Sequence, residues 1–488
     1  MKKLFVLLTI TLICFPVMGQ KQDSIWNAYV SHMDNEYDAY VRQLDKAYES
    51  YLDKLNAEYE NYMRKSWEEY TAITGIPRPK EDMPPIIFDK ENHEHRSIKE
   101  ILVKITPIPT PQPQPKPVAP IKEDNTPNNK IEVLFFNTPI AVRKPTNLSF
   151  SIKESGNNSL ADAWERLSNG DFNNLIFDCV EIRDLYSLSD WAYLSFLQLL
   201  SEKLYGDSNE AVFLQAYIYA QSGYSMRLAL GQTGKLYMLI ESNYQLYERL
   251  YFEIENRVFY PLNCEERQLF ICDARFEEEK ALNLQILQEQ KLKYDASEQK
   301  IHISNKGIKL QCAVNKNAVD FYNTYPVGHV GEDFGTRWAM YANTPMDQNI
   351  SETLYPQIRK CIAEKNEEEA ANIILNWMQT AFEYQYDDSI WGGDRAFFPA
   401  ETLYYPYCDC EDRAILFSRI IRDVLDLEVV LLYFPGHLAT AVKFNTDIEG
   451  DFLTIDGKKY IICDPTCIGA PVGMSCTEDE EAKVITLY

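Results

Sequence analysis

Histidine is scarce in this chain, with six residues dispersed among 488. No pair of Cys-x-x-Cys units occurs either, and together these absences remove a structural zinc site from consideration. Basic residues are short as well: 48 Lys and Arg stand against 73 Asp and Glu, a formal net charge of −25. With no basic block, nucleic acid and anionic lipid are excluded as expected partners. Nothing implies a cofactor or a metal, and the acidic surplus reads as solvated surface. A long hydrophobic run is also missing, because the apolar stretch Leu4 to Val17 falls short of the about 20 residues a membrane span needs.

That stretch has another meaning. Lys2 and Lys3 precede it and Gly19 follows it, the pattern of a secretory signal peptide over residues 1–19. Ile13 is too bulky for the small residue that precedes a lipidated cysteine, so Cys14 is not the expected anchor. Export is the expectation, to the periplasm, the cell surface or the medium. Ten cysteines remain after Cys14, scattered along the chain, and export permits disulfides among them.

Residues 26–70 lack proline and glycine and repeat every eleven residues. Tyr29, Tyr40, Tyr51 and Tyr62 form one series, and Tyr37, Tyr48, Tyr59 and Tyr70 another. Eleven residues make three turns of a nearly straight helix, so these positions form one apolar stripe. A long helix over 20–75 is expected, suited to self-association or to a protein partner. From Ile76 to Lys130 proline recurs, as in "TPIPTPQPQPKPVAP", which reads as an extended, semi-rigid linker. An accessory α+β region is expected over 131–298 and a second domain over 299–488. "KLYMLIES" reads as a strand and "KIHISNKGIKLQCAV" as a hairpin, with "EEEKALNLQILQEQKLK" as a charged helix between them.

The chemistry concentrates in "YPYCDCEDRAILFSRIIRDVL", residues 404–424. Ala414, Phe417, Ile420, Ile421 and Val424 recur at helical spacing, Asp409 suits the N-cap, and Glu411 and Asp412 suit the first turn. Cys410 therefore opens a buried helix, where the positive end of the dipole favours a thiolate. "EVVLLYF", the turn "PG" and "HLATAVKF" then read as two antiparallel strands with His437 at the turn. "FLTIDGKKYIICDPT" adds a hairpin that ends at Asp464. Cysteine, imidazole and carboxylate are thus brought toward one sheet end, the set that activates a thiol nucleophile.

These residues resemble the transglutaminase-like superfamily, a branch of the papain-like cysteine-protease folds. Cys410, Asp412 and Ala414 match the family's Cys-x-Asp-x-Ala, His437 and Val442 its histidine strand, and Asp464, Pro465 and Thr466 its Asp-Pro-Thr. The resemblance covers about the last 120 residues. It implies an α+β fold with the nucleophile helix packed on an antiparallel sheet, Cys410 as nucleophile, His437 as general base and acid, and Asp464 as the orienting carboxylate. It also implies acyl transfer on a protein or peptide amide, as peptidase, deamidase or cross-linker, with hydrolysis favoured. Cys408 stands where the family has glycine, which allows it to regulate Cys410, and "LAT" replaces the aromatic usual after the histidine. For the oxyanion hole, Gln379, Gln385 and Trp391 are all candidates beside the Cys410 N–H.

Two alternatives stay open. Cys408 and Cys410 could each pair with Cys463, Cys467 or Cys476, and the triad could be vestigial in a binding or scaffold protein of the cell envelope. The segment 206–240 also repeats the layout of 408–442: a shift of 202 residues sets Ser208 on Cys410, Lys235 on His437 and Leu262, beside Asn263, on Asp464. On this reading the middle region is a degenerate copy of the catalytic core.

Overall fold

The computed structural model describes residues 21–488 apart from 66, 80–86, 88–97, 120, 122, 124–128, 153–155, 296–298, 478 and 480. The signal peptide expected over 1–19 lies outside them. No described helix is long and apolar enough to cross a membrane. The chain divides into two compact units, residues 1–56 and 57–488.

In the first unit the described residues belong to the helix Lys21–Met63, whose last turns continue into the second unit. Met33, Tyr37, Tyr40 and Tyr51 of the eleven-residue stripe are exposed. Tyr59, in the second unit, is buried and stacks on Trp164 at 4.0 Å between ring centroids. The helix is shorter than expected, because Tyr70 lies in a strand, Glu68–Thr71, that pairs antiparallel with Gln268–Cys272.

The second unit is mixed α+β and holds two six-stranded sheets. In one, the order across the sheet is Glu68–Thr71, Gln268–Cys272, Met226–Leu230, Leu236–Glu241, Arg257–Pro261 and Phe252–Ile254. In the other it is Leu102–Thr106, Glu481–Thr486, Glu428–Phe434, His437–Lys443, Lys458–Cys463 and Phe452–Ile455. The two orders are the same. Each sheet follows a helix, Asn209–Gln221 or Cys410–Leu425, and the helix and the next four strands of the second set begin 200 to 202 residues after their counterparts. The outermost strands differ in direction: Glu68–Thr71 is antiparallel to its neighbour and Leu102–Thr106 parallel.

Both edge strands come from upstream sequence, which overturns two expected boundaries. The proline-rich segment is not a spacer: Leu102–Thr106 extends a sheet, Ile101 is buried, and the Pro109 carbonyl accepts from Gln285. Proline lacks only the N–H, so its carbonyls and flanking residues remain free to pair. Nor does a boundary at 298/299 separate two bodies, since 57–488 is one unit. The charged helix expected near 277–293 is absent too. Leu282, Leu284 and Ile286 are buried at alternate positions in an extended segment that bridges to Ser242 and Tyr224. Period two, not the charge pattern, decides that stretch.

Candidate functional site

Asp409 caps the helix Cys410–Leu425, its carboxylate accepting from the Asp412 N–H while Asp412 accepts from the Asp409 N–H, a reciprocal capping box. Ala414, Phe417, Ile420 and Ile421 are fully buried, each large side chain contributing roughly 1.5–3 kcal/mol. The helix lies against the two central strands Glu428–Phe434 and His437–Lys443. Between them Pro435 and Gly436 make a two-residue turn, with Gly436 at φ 75°. His437 pairs with Phe434 and so begins its strand at the turn.

His437 and Asp464 meet. His437 Nε2 lies 2.8 Å from Asp464 Oδ2, and both side chains are almost wholly buried. The other carboxylate oxygen, Oδ1, accepts from the backbone N–H groups of Thr466 and Cys467 at 2.9 and 3.1 Å. Burial alone would push the imidazole down, but the charge and hydrogen bond of Asp464 raise it overall. Asp464 is also buried, yet His437 and the two backbone donors hold it below the usual carboxylate range. The pair therefore stabilises the fold most between about pH 4 and 6.5: Asp464's share is lost as pH falls through its folded pKa, and His437's as pH rises through its own. Since Nε2 faces the carboxylate, Nδ1 is the ring nitrogen left to serve a thiol.

Cys410 is buried at the helix head, and the repeated sheet shows how close helix head and hairpin come. There Asn209 is the first helical residue, and its side chain accepts from the Leu236 N–H at 2.8 Å and donates to the Gly234 carbonyl at 3.0 Å. By their places in the two sets, Asn209 corresponds to Cys410 and Leu236 to His437. The register is one residue from the expected shift: Ser208 is an N-cap, the counterpart of Asp409.

Of the oxyanion candidates, Gln379 is committed elsewhere. Its amide donates to the Asp464 and Ala470 carbonyls and accepts from the Gly469 N–H, so it fixes the Asp464 loop. A Cys467–Cys476 disulfide closes that loop, while Cys408, Cys410 and Cys463 are not disulfide-bonded. Gln385 lies beside the residues that lead into Cys410, its N–H donating to the Cys408 carbonyl next to the Tyr384–Cys408 strand pair. Burial, then the charge of Cys410, holds the Tyr384 hydroxyl protonated. Trp391 packs against Phe397 and Tyr405, its buried indole N–H without a partner among the described residues. Cys408 is buried against the Arg413 guanidinium, 3.4 Å from Nε, and burial pushes its thiol up.

Beneath the helix head lies an acidic patch that local sequence did not reveal. Asp387, Asp394 and Glu411 converge there, with Asp409 and Asp412 adjoining. Arg337 pairs with Asp394 and Glu411, the Trp338 indole donates to Glu411 at 2.7 Å, and Asp412 accepts from the Phe397 N–H at 2.7 Å. Burial, and then the charge of Asp409, pushes Asp387 up to about 9. A carboxyl raised in this way binds its proton more tightly folded than unfolded. Its stabilisation is complete below about pH 4 and is lost as pH rises through about 9. We expect the urea midpoint to fall between pH 6 and pH 9, and Asp387→Asn to flatten that fall; an unchanged slope in the variant would assign it elsewhere.

Comparison with family models, with curated proteins and with solved structures returned no match.

Proposed function

We propose that the chain is an exported transglutaminase-like cysteine enzyme that hydrolyses protein or peptide amides. The observation that carries this is the buried His437–Asp464 pair, 2.8 Å apart, at the start of a strand crossed by the helix that Cys410 opens. His437 takes the thiol proton and the Cys410 sulfur attacks the amide carbon. The C–N bond then breaks, and the amine leaves with the proton from His437. A thioester remains, and water, deprotonated by the same imidazole, attacks it to release the carboxylic acid and the thiol. An amine in place of water would make a cross-link. The Cys410 N–H at the helix start, with a donor from the Tyr384–Gln385 segment, would hold the oxyanion. The exposed tyrosine stripe of the first unit supports self-association or a protein partner.

One observation favours the second reading, a binding or scaffold protein: Cys410 is only 5% exposed, so substrate must open a path to it. Alkylation separates the two. With iodoacetamide at pH 6, read by mass spectrometry, Cys410 should react on the order of 100-fold faster than in His437→Ala, because an imidazole partner lowers the thiol pKa by several units. Equal, slow labelling that rises only near the ordinary thiol pKa of about 8.5 would support the scaffold.

A further inference from the structure

The first of the two repeated sheets lacks the cysteine, histidine and aspartate, yet it is flanked by a groove of about 1020 Å³. The groove opens beside Lys235 and Asn263, at the end of the sheet that corresponds to the His437–Asp464 end of the other. Arg78, Lys235, Arg249 and Arg267 line it together with Glu248, Glu265 and Glu266, a small cationic excess in a chain of net charge −25.

The backbone builds this arrangement. Residues 73–76 run antiparallel to 248–251, with the Glu248 N–H donating to the Ile76 carbonyl at 2.8 Å and Ile73 bridging to Tyr251. The approach requires glycine at 75, where a Cβ would stand 2.2 Å from the Arg249 carbonyl oxygen. The chain thus delivers Arg78 beside Arg249.

Two of the groove's three carboxylates are engaged by neighbours. Glu248 is held by Arg78 at 3.0 Å, and Glu266 by the Tyr237 hydroxyl at 2.7 Å and the Gln232 N–H at 3.1 Å. Arg267 donates to Thr74. Lys235 lies over the Tyr237 ring at 5.3 Å, and no ion pair among the described residues reaches Lys235 or Arg249. Arg249 presents exposed surface in a crowded groove, and burial, then the charge of Arg78, lowers its pKa. Arg78 has its counter-ion in Glu248, which leaves Arg249 and Lys235 to receive carboxylates from outside, and a guanidinium group binds these through paired hydrogen bonds.

We propose that this groove, on the non-catalytic copy, binds an acidic segment of a polypeptide. The volume exceeds what a single small anion needs. The choice of polypeptide over a free anion rests on the amide-substrate reading of the sister copy; the cation cluster does not.

The test is fluorescence anisotropy of a short fluorescein-labelled peptide alternating Glu and Ser, with the full chain. Binding is expected, weaker by about tenfold for the same peptide with Gln in place of Glu, and by a similar factor in Arg249→Gln. Arg249→Lys should recover part of the loss, and Cys410→Ala should bind like wild type. Arg249 is exposed, so its variants should fold, which a thermal melt verifies. No binding, equal binding of the Gln peptide, or an unchanged Arg249→Gln would overturn the proposal. So would displacement by inorganic phosphate alone at the concentrations where the peptide binds, or capture of a sulfated oligosaccharide in its place. Peptide binding with an unreactive Cys410 would sink only the enzyme reading, and a reactive Cys410 without binding only this one.

Discussion

In Asp464→Asn, the chain should fold and yet lose nearly all thiol activation at Cys410. The two oxygens of Asp464 do different work: Oδ1 accepts from Thr466 and Cys467, and Oδ2 faces His437 Nε2. Asparagine has one acceptor oxygen. If that oxygen keeps the two backbone donors, the amide NH₂ faces His437 and makes Nε2 the acceptor. The ring proton then moves to Nδ1, the nitrogen that receives the thiol proton in the proposed mechanism. Replacing an orienting carboxylate by its amide costs turnover on the order of 10⁴-fold in a comparable triad. We expect iodoacetamide labelling of Cys410 at pH 6 to fall by about 100-fold or more, with a thermal melt close to wild type. Asp464→Ala should lose activation and stability together, because two backbone N–H groups and an imidazole are left buried without an acceptor, at about 1–3 kcal/mol for each group. If Asp464→Asn labels like wild type, Asp464 does not set the tautomer.

The largest stability loss is expected for Arg337→Ala. Arg337 is fully buried and joins Asp394 to Glu411, the residue directly after Cys410. Removing the guanidinium leaves two carboxylates facing each other away from water, beside Asp387 and Asp409. Breaking a buried pair in this way costs about 3–5 kcal/mol. Part is recovered as the acids take up protons, and burial already raises Glu411 well above the ordinary carboxylate range, so the loss should be smaller at pH 5 than at pH 8. Urea unfolding at pH 5 and pH 8 measures it. A loss under about 1 kcal/mol at pH 8 would mean that the patch is already protonated and Arg337 only fills space.

The helix of Cys410, the hairpin that starts at His437 and the Asp456-Gly457 turn were legible because each is written in adjacent residues. A cap, a 3.6-residue apolar period and residues suited to positive φ are local signals, and Asp456 and Gly457 do sit at φ 50° and 77°. The approximate repeat of 202 residues was legible too, though its register was off by one, since few identities mark it and the hairpin loops differ in length. Helix-like charge at 277–293 misled, because burial against the sheet overrode local preference.

Composition and spacing alone thus determined an acidic α+β chain with Cys410, His437 and Asp464 in an order suited to thiol chemistry. Tertiary structure decided what no window of sequence holds. It drew Glu68–Thr71 and Leu102–Thr106 out of apparent helix and linker to edge two sheets. It committed Gln379 to the Asp464 loop, packed Arg337 and Trp338 under Glu411, and set Arg78 beside Arg249. These partners lie far apart along the chain, and only burial makes their charges and unpaired hydrogen bonds costly enough to select one another.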